Sequence, residues 1–384
     1  MIVSLCMYGI YSTTRKYNSS PTTNMSLWVD KYRPKKLENL SYHEGITKSL
    51  GALASTGDFP HLLVYGPSGA GKKTRIYSTL NELFGAQVEK LKIDVKTFTT
   101  SSNRKLEFNV LSSPYHLEIT PSDMGNNDRV VIQDLLKDVA STEQVDFSNQ
   151  AKLATKHRFK VVVINEADSL TRDAQAALRR TMEKYLSNIR LIMVCNTIAN
   201  IIAPIKSRTL LVRIPAPTDG EIASILLNIA AKENLKFSSI SEEAQEQYFR
   251  TIAQASDRNL RRALLSFETI SMQNETIPVD KPETTIINLD WEVIIRNIAR
   301  SMSREKTVAN LAKLRETFYE LLSHCIPARL ILKTLALELM NGVDPTRARA
   351  LIEIAAVFDE RLSLGQKLIF HLEGFAAKAM VAMS

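Results

Sequence analysis

The sequence predicts a parallel α/β sheet domain followed by two all-helical regions, and three observations predict it. The apolar run His61-Leu-Leu-Val-Tyr65 feeds a glycine-rich turn, Gly66-Pro-Ser-Gly-Ala-Gly-Lys-Lys-Thr74, and a helical pattern follows. Two further runs, Val161-Val-Val-Ile164 and Leu191-Ile-Met-Val-Cys-Asn196, have the continuous hydrophobicity of strands buried on both faces. After Pro215-Ala-Pro217 the strand signal stops and helical periodicity takes over.

Each element follows from local chemistry. The helix after the turn is predicted from about Lys72 to Phe84, with Gly85 as its C-terminal cap. Phe98 to Arg104 and Ser141 to His157 are polar and read as surface connections. Between them Gly125 to Gln133 opens a helix, with Val131, Leu135 and Val139 at helical spacing. Thr171 to Tyr185 is another, with Ala174, Leu178, Met182 and Tyr185 along one face. From Pro217 to about Ile277 the pattern is helical with no strand signal, and Pro278 to Leu289 reads as a linker. Beyond Trp291, Leu311, Leu314, Phe318, Leu321, Leu322 and Cys325 fall at helical intervals. Ile326 to Leu339 is broadly apolar, as expected of a buried helix or one that packs on another subunit.

Composition bounds the function. A chain of 384 residues, 45% hydrophobic and 23% charged, is an ordinary globular protein of two or three domains. The net charge of +8 suits a polyanionic partner. Cys6, Cys195 and Cys325 are too few and too scattered for a disulfide framework or a zinc site, which points to a reducing compartment. No apolar run reaches the ~18 residues of a membrane span, so no membrane partner is expected. Residues 1–24 read as an unstructured extension, or as an upstream start before Met25. Their lack of acids, with Arg15 and Lys16 present, leaves a targeting peptide as the alternative.

The glycine-rich turn carries the chemistry. A P-loop requires Gly, four residues, Gly-Lys, then Ser or Thr. Gly66, Gly71 and Lys72 comply, with Pro67, Ser68, Gly69 and Ala70 between them. Such a loop turns backbone N–H groups onto phosphates and adds the positive end of the next helix. A chance glycine-rich turn would lack the strand before and the helix after. One position departs: Lys73 replaces the Mg²⁺-binding hydroxyl, and Thr74 comes one residue late. A second departure matches it. The strand Val161–Ile164 should end in an Asp that steadies Mg²⁺, and it ends in Asn165, while the acid that polarises water, Glu166, is kept. The paired changes predict a site that binds ATP or ADP with Mg²⁺ weak or absent and little hydrolysis. Lys73 could bring its ammonium near the phosphates in place of part of the missing metal charge.

Further motifs occur in order: Trp28-Val-Asp-Lys-Tyr-Arg-Pro34, Tyr115-His-Leu-Glu118, Asn165-Glu-Ala-Asp168, Asp173 to Glu183, Ser207-Arg-Thr209 and His324-Cys-Ile-Pro327. Together with the P-loop they resemble the small subunits of replication factor C, the eukaryotic sliding-clamp loader of the AAA+ superfamily, over residues 25–384. The resemblance implies an AAA+ core (25–215), a helical lid (216–280) and an all-helical collar for oligomerisation (290–384).

The same resemblance assigns roles. Val29, Tyr32 and Arg33 would line the adenine pocket, although a staple packed on the sheet is the other reading of that segment, notably for Trp28. Lys72 would neutralise the β and γ phosphates, Asn196 would sense the γ phosphate, and Arg261 would reach in from the lid. Arg208, in Ser-Arg-Thr where the family has Ser-Arg-Cys, would be an arginine finger acting on a neighbouring subunit's ATP. Arg129, Arg179 and Arg180 are candidates for DNA phosphates; salt bridges between core helices are the other reading of Arg179 and Arg180. The implied partners are the other subunits of a hetero-pentamer, the PCNA ring and primer-template DNA, in replication and repair within the nucleus. A scaffold subunit with a dead P-loop, in this loader or in a related checkpoint or cohesion loader, is the rival reading, and an independent AAA+ ATPase a third.

Overall fold

The computed structural model describes residues 26–99, 105–141, 159–186, 188–238, 241–279, 289–341 and 343–383. Residues 1–24, nearly all of the Ser141–His157 stretch and most of the linker after Pro278 lie outside them. Two compact units divide the chain at Thr285 and Ile286.

In the first unit, α1 (Trp28–Lys31) and α2 (Glu44–Ser55) precede the central strand β1 (Leu62–Tyr65) and helix α3 (Lys72–Phe84). Gly85, at φ +77°, ends α3 as predicted. A hairpin of β2 (Lys92–Thr99) and β3 (Lys105–Ser112) leads to β4 (His116–Ile119), α4 (Asp128–Ser141) and β5 (Lys160–Ile164). Then come α5 (Arg172–Lys184), β6 (Ile189–Cys195), the short α6 (Ala203–Lys206) and β7 (Leu210–Arg213). The sheet order is β2-β3-β4-β5-β6-β1-β7. Strands β4, β5, β6, β1 and β7 are parallel, and the β2–β3 hairpin joins β4 antiparallel.

Side-chain alternation builds two cores from the same strands. Val162, Ile164, Leu191 and Met193 pack with Leu135 of α4 and Leu178 of α5. Their neighbours Val161, Val163, Ile192 and Val194 pack with Ile76 and Leu80 of α3 on the opposite face. With helices on both faces the central strands need no polar side, which is why they read as unbroken apolar runs. The hairpin corrects the sequence reading: Phe98, expected in a surface connection, is a buried residue of β2. Ile93 and Val95 on that edge strand are exposed, as are Leu210 and Leu211 on the other edge, β7.

Three helices complete this unit: α7 (Asp219–Lys232), started by a Thr218/Glu221 capping box, α8 (Glu242–Ala255) and α9 (Leu260–Gln273). They are not wholly strandless, since β8 (Lys236–Phe237) pairs with β9 (Thr276–Ile277). Two-residue strands are too short to show alternation in the sequence.

The second unit is helical: α10 (Asp290–Arg304), α11 (Val308–Ser323), α12 (Ala328–Met340), α13 (Pro345–Leu364) and α14 (Leu368–Ala382). Ile295, Phe318, Leu335, Leu351 and Phe375 meet in its core. Buried Asn310 donates to the carbonyls of Ser301 (3.2 Å) and Glu305 (2.7 Å), closing the end of α10. The apolar stretch Ile326–Leu339 is mostly absorbed within this unit, while Leu330 and Leu337 of α12 remain exposed. Cys325 does not continue the α11 stripe: it is exposed at φ +60°, in the turn before α12.

Candidate nucleotide site

Parallel register brings the carboxyl ends of β1, β5 and β6 to one edge, so the loop after Tyr65, Asn165 and Asn196 converge there. In open α/β sheets this is the edge at which ligands bind. Gly71 caps the N-terminus of α3 at φ +82°, and Gly69 is at +75°. Side chains also approach both glycines closely. A Cβ on Gly69 would lie 1.7 Å from Asn259 Oδ1, and one on Gly71 would lie 2.2 Å from the Tyr42 hydroxyl. Tyr42 donates to the Ala70 carbonyl at 3.2 Å. Pro67, Ser68 and Ala70 thus form a cradle held from α9's N-cap on one side and Tyr42 on the other.

Lys72 is buried and donates to the carbonyls of Gly66 (2.7 Å) and Pro67 (2.9 Å) and to Asn196 Oδ1 (2.9 Å). Burial pushes its ammonium below the usual lysine value; Cys195 and Asp168 pull it back, and the charge of Arg261 lowers it further. Arg261, exposed at the start of α9, is therefore close enough for its charge to be felt at Lys72. Asp168 Oδ2 accepts from the backbone N–H of Asn196 (3.1 Å) and Thr197 (3.3 Å), fixing the strand end that presents Asn196. Glu166 is exposed, left-handed at φ +49°, and accepts from Ser122 Oγ at 2.8 Å. A non-glycine residue held in that region is uncommon and marks a constrained position.

Lys73 and Asn165, the two departures from the pattern, are brought together on a residue to which no role had been assigned. Glu118, at the end of β4, is buried. One of its oxygens, Oε1, accepts from Lys73 Nζ and from Asn165 Nδ2 (2.6 Å), and Oε2 accepts from the Tyr77 hydroxyl. Burial pushes the Glu118 carboxyl up, but the bonds from Lys73 and Tyr77, the lysine charge and the Asn165 amide outweigh it and hold the group below the usual glutamate value. Burial and Glu118 together drive the Tyr77 phenol well above its ordinary value. The available signal was an acid inside an apolar strand, His116-Leu-Glu-Ile119, which must find partners if it is buried. Thr74 is half-buried in the first turn of α3.

Arg75 is a second residue the sequence did not flag. It is fully buried, donates to the Tyr42 carbonyl and to Thr47 Oγ1 (both 2.6 Å), and lies 4.7 Å from the Tyr42 ring centre. It ties α3 and α2 to the tyrosine that covers the loop.

The N-terminal segment packs on the helices after the sheet, so the alternative reading of Trp28 as a staple on the sheet does not hold. Trp28 packs edge-on against Phe267 of α9 at 5.5 Å, and its backbone N–H donates to Glu268 at 3.1 Å. Tyr32 donates to Glu233 at the end of α7 (2.5 Å), where Lys31 also pairs (2.6 Å). Val29 is half-buried, and Arg33 is exposed and paired with Asp30 at 2.9 Å. Among the described residues no hydrogen bond joins Tyr32 or Arg33 to the loop.

Arg208, between α6 and β7, is partly exposed. It pairs with Glu183 of α5 at 2.6 Å and donates to the Pro204 carbonyl at 2.9 Å, so it is held on the surface and away from the chain's own loop. Arg129 is exposed at the start of α4, and Arg179 and Arg180 are exposed on α5. Asp128 accepts from the N–H of Thr171 (2.7 Å) and its hydroxyl (2.9 Å), pinning the starts of α4 and α5 together.

Comparison with known proteins agrees with this fold. The family model for ATPases associated with various cellular activities (AAA) matches residues 62–215, and an AAA+ lid model of the RCF1/5-like type matches 224–272. A model of the C-terminal domain of replication factor C subunit 3 matches 291–384. Replication factor C subunit 5 of Saccharomyces cerevisiae is 54% identical over 362 residues, covering 94% of this chain and 100% of that protein. Replication factor C subunit 3 of Homo sapiens is 48% identical over 358 residues, covering 93% and 96%. Among solved structures, RuvB of Thermotoga maritima aligns with a TM-score of 0.48 at 16% identity, over 74% of this chain and 85% of RuvB, a likeness too distant to argue from.

Proposed function

The chain belongs to the replication factor C family of clamp-loader subunits, alongside the subunit numbered 5 in yeast and 3 in human, and we propose that in such a loader it supplies catalysis to a neighbour rather than to itself. One contrast carries the reading. Arg208 is intact and held at the surface by Glu183, while both positions that should handle Mg²⁺ in the chain's own site are replaced, by Lys73 and Asn165. A guanidinium delivered in trans stabilises charge on a transferring phosphoryl group, and such fingers are worth on the order of 10³–10⁵ in rate in GTPases.

The chain's own loop holds ATP or ADP through Lys72 and Arg261, with Asn196 reading the terminal phosphate, Val29, Tyr32 and Arg33 on the adenine side, and Glu166 idle. The helical unit beyond Ile286 serves as the collar of a five-subunit loader that places PCNA on primer-template DNA in the nucleus. Arg129, Arg179 and Arg180 offer exposed cations for the DNA backbone, contacts that position without reading sequence and weaken with salt.

The test is clamp- and DNA-stimulated ATPase of the reconstituted pentamer, comparing Arg208→Ala with Lys72→Ala. The reading expects a large loss from Arg208→Ala and a small one from Lys72→Ala. Equal small losses would leave a scaffold subunit, and a dominant Lys72 effect would mean that the chain hydrolyses its own nucleotide.

A further inference from the structure

The two departures in the phosphate site are one physical feature. Lys73 replaces a hydroxyl on α3, Asn165 replaces an acid after β5, and both side chains end on the same oxygen of Glu118. Glu118 retains only 2% of its side-chain surface, and a carboxylate so buried requires donors. It has three, from Lys73, Asn165 and Tyr77.

This donor set does not fit Mg²⁺. That ion demands near-octahedral oxygens at about 2.0–2.1 Å and is usually anchored on one or two carboxylates. Here the hydroxyl and the aspartate are both missing. The buried carboxylate, Glu118, is saturated by an ammonium, a phenol and an amide, and the ammonium repels a divalent cation. The lysine, by contrast, is only partly committed. Its side chain keeps 42% of its surface, and an ammonium has three donors, of which Glu118 engages one face.

We propose that Lys73, tethered by Glu118 and Asn165, is a resident cation that takes the place of Mg²⁺, so that this subunit binds the polyphosphate of ADP or ATP without a divalent metal. The inference deepens the nucleotide-site reading and rests on it. Asn165 has a positive role here: an aspartate in its place would set a second carboxylate against Glu118, whereas the amide donates to it. The two replacements therefore depend on each other, because the lysine needs the buried acid and the acid tolerates an amide but repels another acid.

The experiment uses the full complex with the P-loop lysines of the other subunits replaced, so that only this site takes up a fluorescent ADP (mant-ADP). Binding is titrated in excess Mg²⁺ and again in EDTA. The proposal expects dissociation constants within about threefold of each other for the parent, and a weakening in EDTA of about tenfold or more for Lys73→Ser/Asn165→Asp, which restores the ordinary ligands. Parent binding that EDTA abolishes or weakens about tenfold overturns the resident cation while leaving the nucleotide site standing. Absence of parent binding in both conditions overturns the nucleotide-site reading itself, and the inference with it. The parent titration decides the matter even where the double variant does not fold.

Discussion

Replacing Arg75 with methionine tests whether the loop is held in shape from behind. The side chain is fully buried, so Met fills much of the same volume while removing two charge-assisted donors, each at 2.6 Å. Hydrogen bonds to charged groups contribute about 1.5–3 kcal/mol each, but the variant also escapes the several kcal/mol required to desolvate a guanidinium. The term that survives this offset is the Tyr42 carbonyl, left buried without its donor at about 1–3 kcal/mol. Tyr42 is also the residue whose hydroxyl bonds Ala70 and crowds Gly71, so the loss appears first in the loop. At 1.4 kcal/mol per tenfold, nucleotide affinity should fall by about 5- to 140-fold. The assay is mant-ADP titration of the assembled complex beside a thermal melt. A variant with parental affinity and a parental melt would refute the argument that Arg75 acts through Tyr42.

Other outcomes follow from single contacts. Gly69→Ala should weaken nucleotide binding by at least about tenfold, since its Cβ would lie 1.7 Å from Asn259 Oδ1 at a backbone angle that alanine disfavours; parental affinity in a titration would count against the cradle. Asn310→Ala should lower the stability of the helical unit by about 1–3 kcal/mol, because the Ser301 and Glu305 carbonyls lose their donor; a urea titration in which its midpoint stays fixed would show that water replaces the amide. Glu118 gives a signed pH dependence. Its folded carboxyl is held below the ordinary value, so its contribution is fully present above about pH 4.3 and is lost as pH falls through the lowered folded value. The difference in melting temperature between parent and Glu118→Gln should therefore shrink on acidification, and a gap independent of pH would mean that the ionised form contributes nothing.

Helix α3 was legible almost to the residue, because glycine stands at both ends and the periodicity between them is regular. The buried strands were equally plain, since short unbroken apolar runs bounded by turns mark strands covered on both faces. The hairpin was not. Lys92 to Lys96 alternates charged and apolar residues, but its apolar Ile93 and Val95 are exposed while Phe98, out of phase with them, is buried, so the pattern does not mark a core face. At the site, local motifs announced Lys72 and Asn196, whereas Glu118, though part of the Tyr115–Glu118 motif, received no role. Its partners Tyr77, Lys73 and Asn165 lie 41, 45 and 47 residues away, and only the sheet order brings them together. Lys73 was expected at the phosphates as a substitute for metal charge; that it would be anchored by an acid could not be seen without the fold.

Both borders of the seven-stranded sheet carry bare aliphatic side chains, Ile93 and Val95 at one end and Leu210 and Leu211 at the other. Border strands of soluble proteins are commonly blunted with charge, proline or a bulge, because an open ladder recruits other chains. The two borders differ in this respect: β2 interleaves its aliphatics with Lys92, Asp94 and Lys96, whereas β7 offers only Arg213 at its far end. The β7 margin is therefore the less guarded of the two, and the one where an incoming strand would meet less resistance.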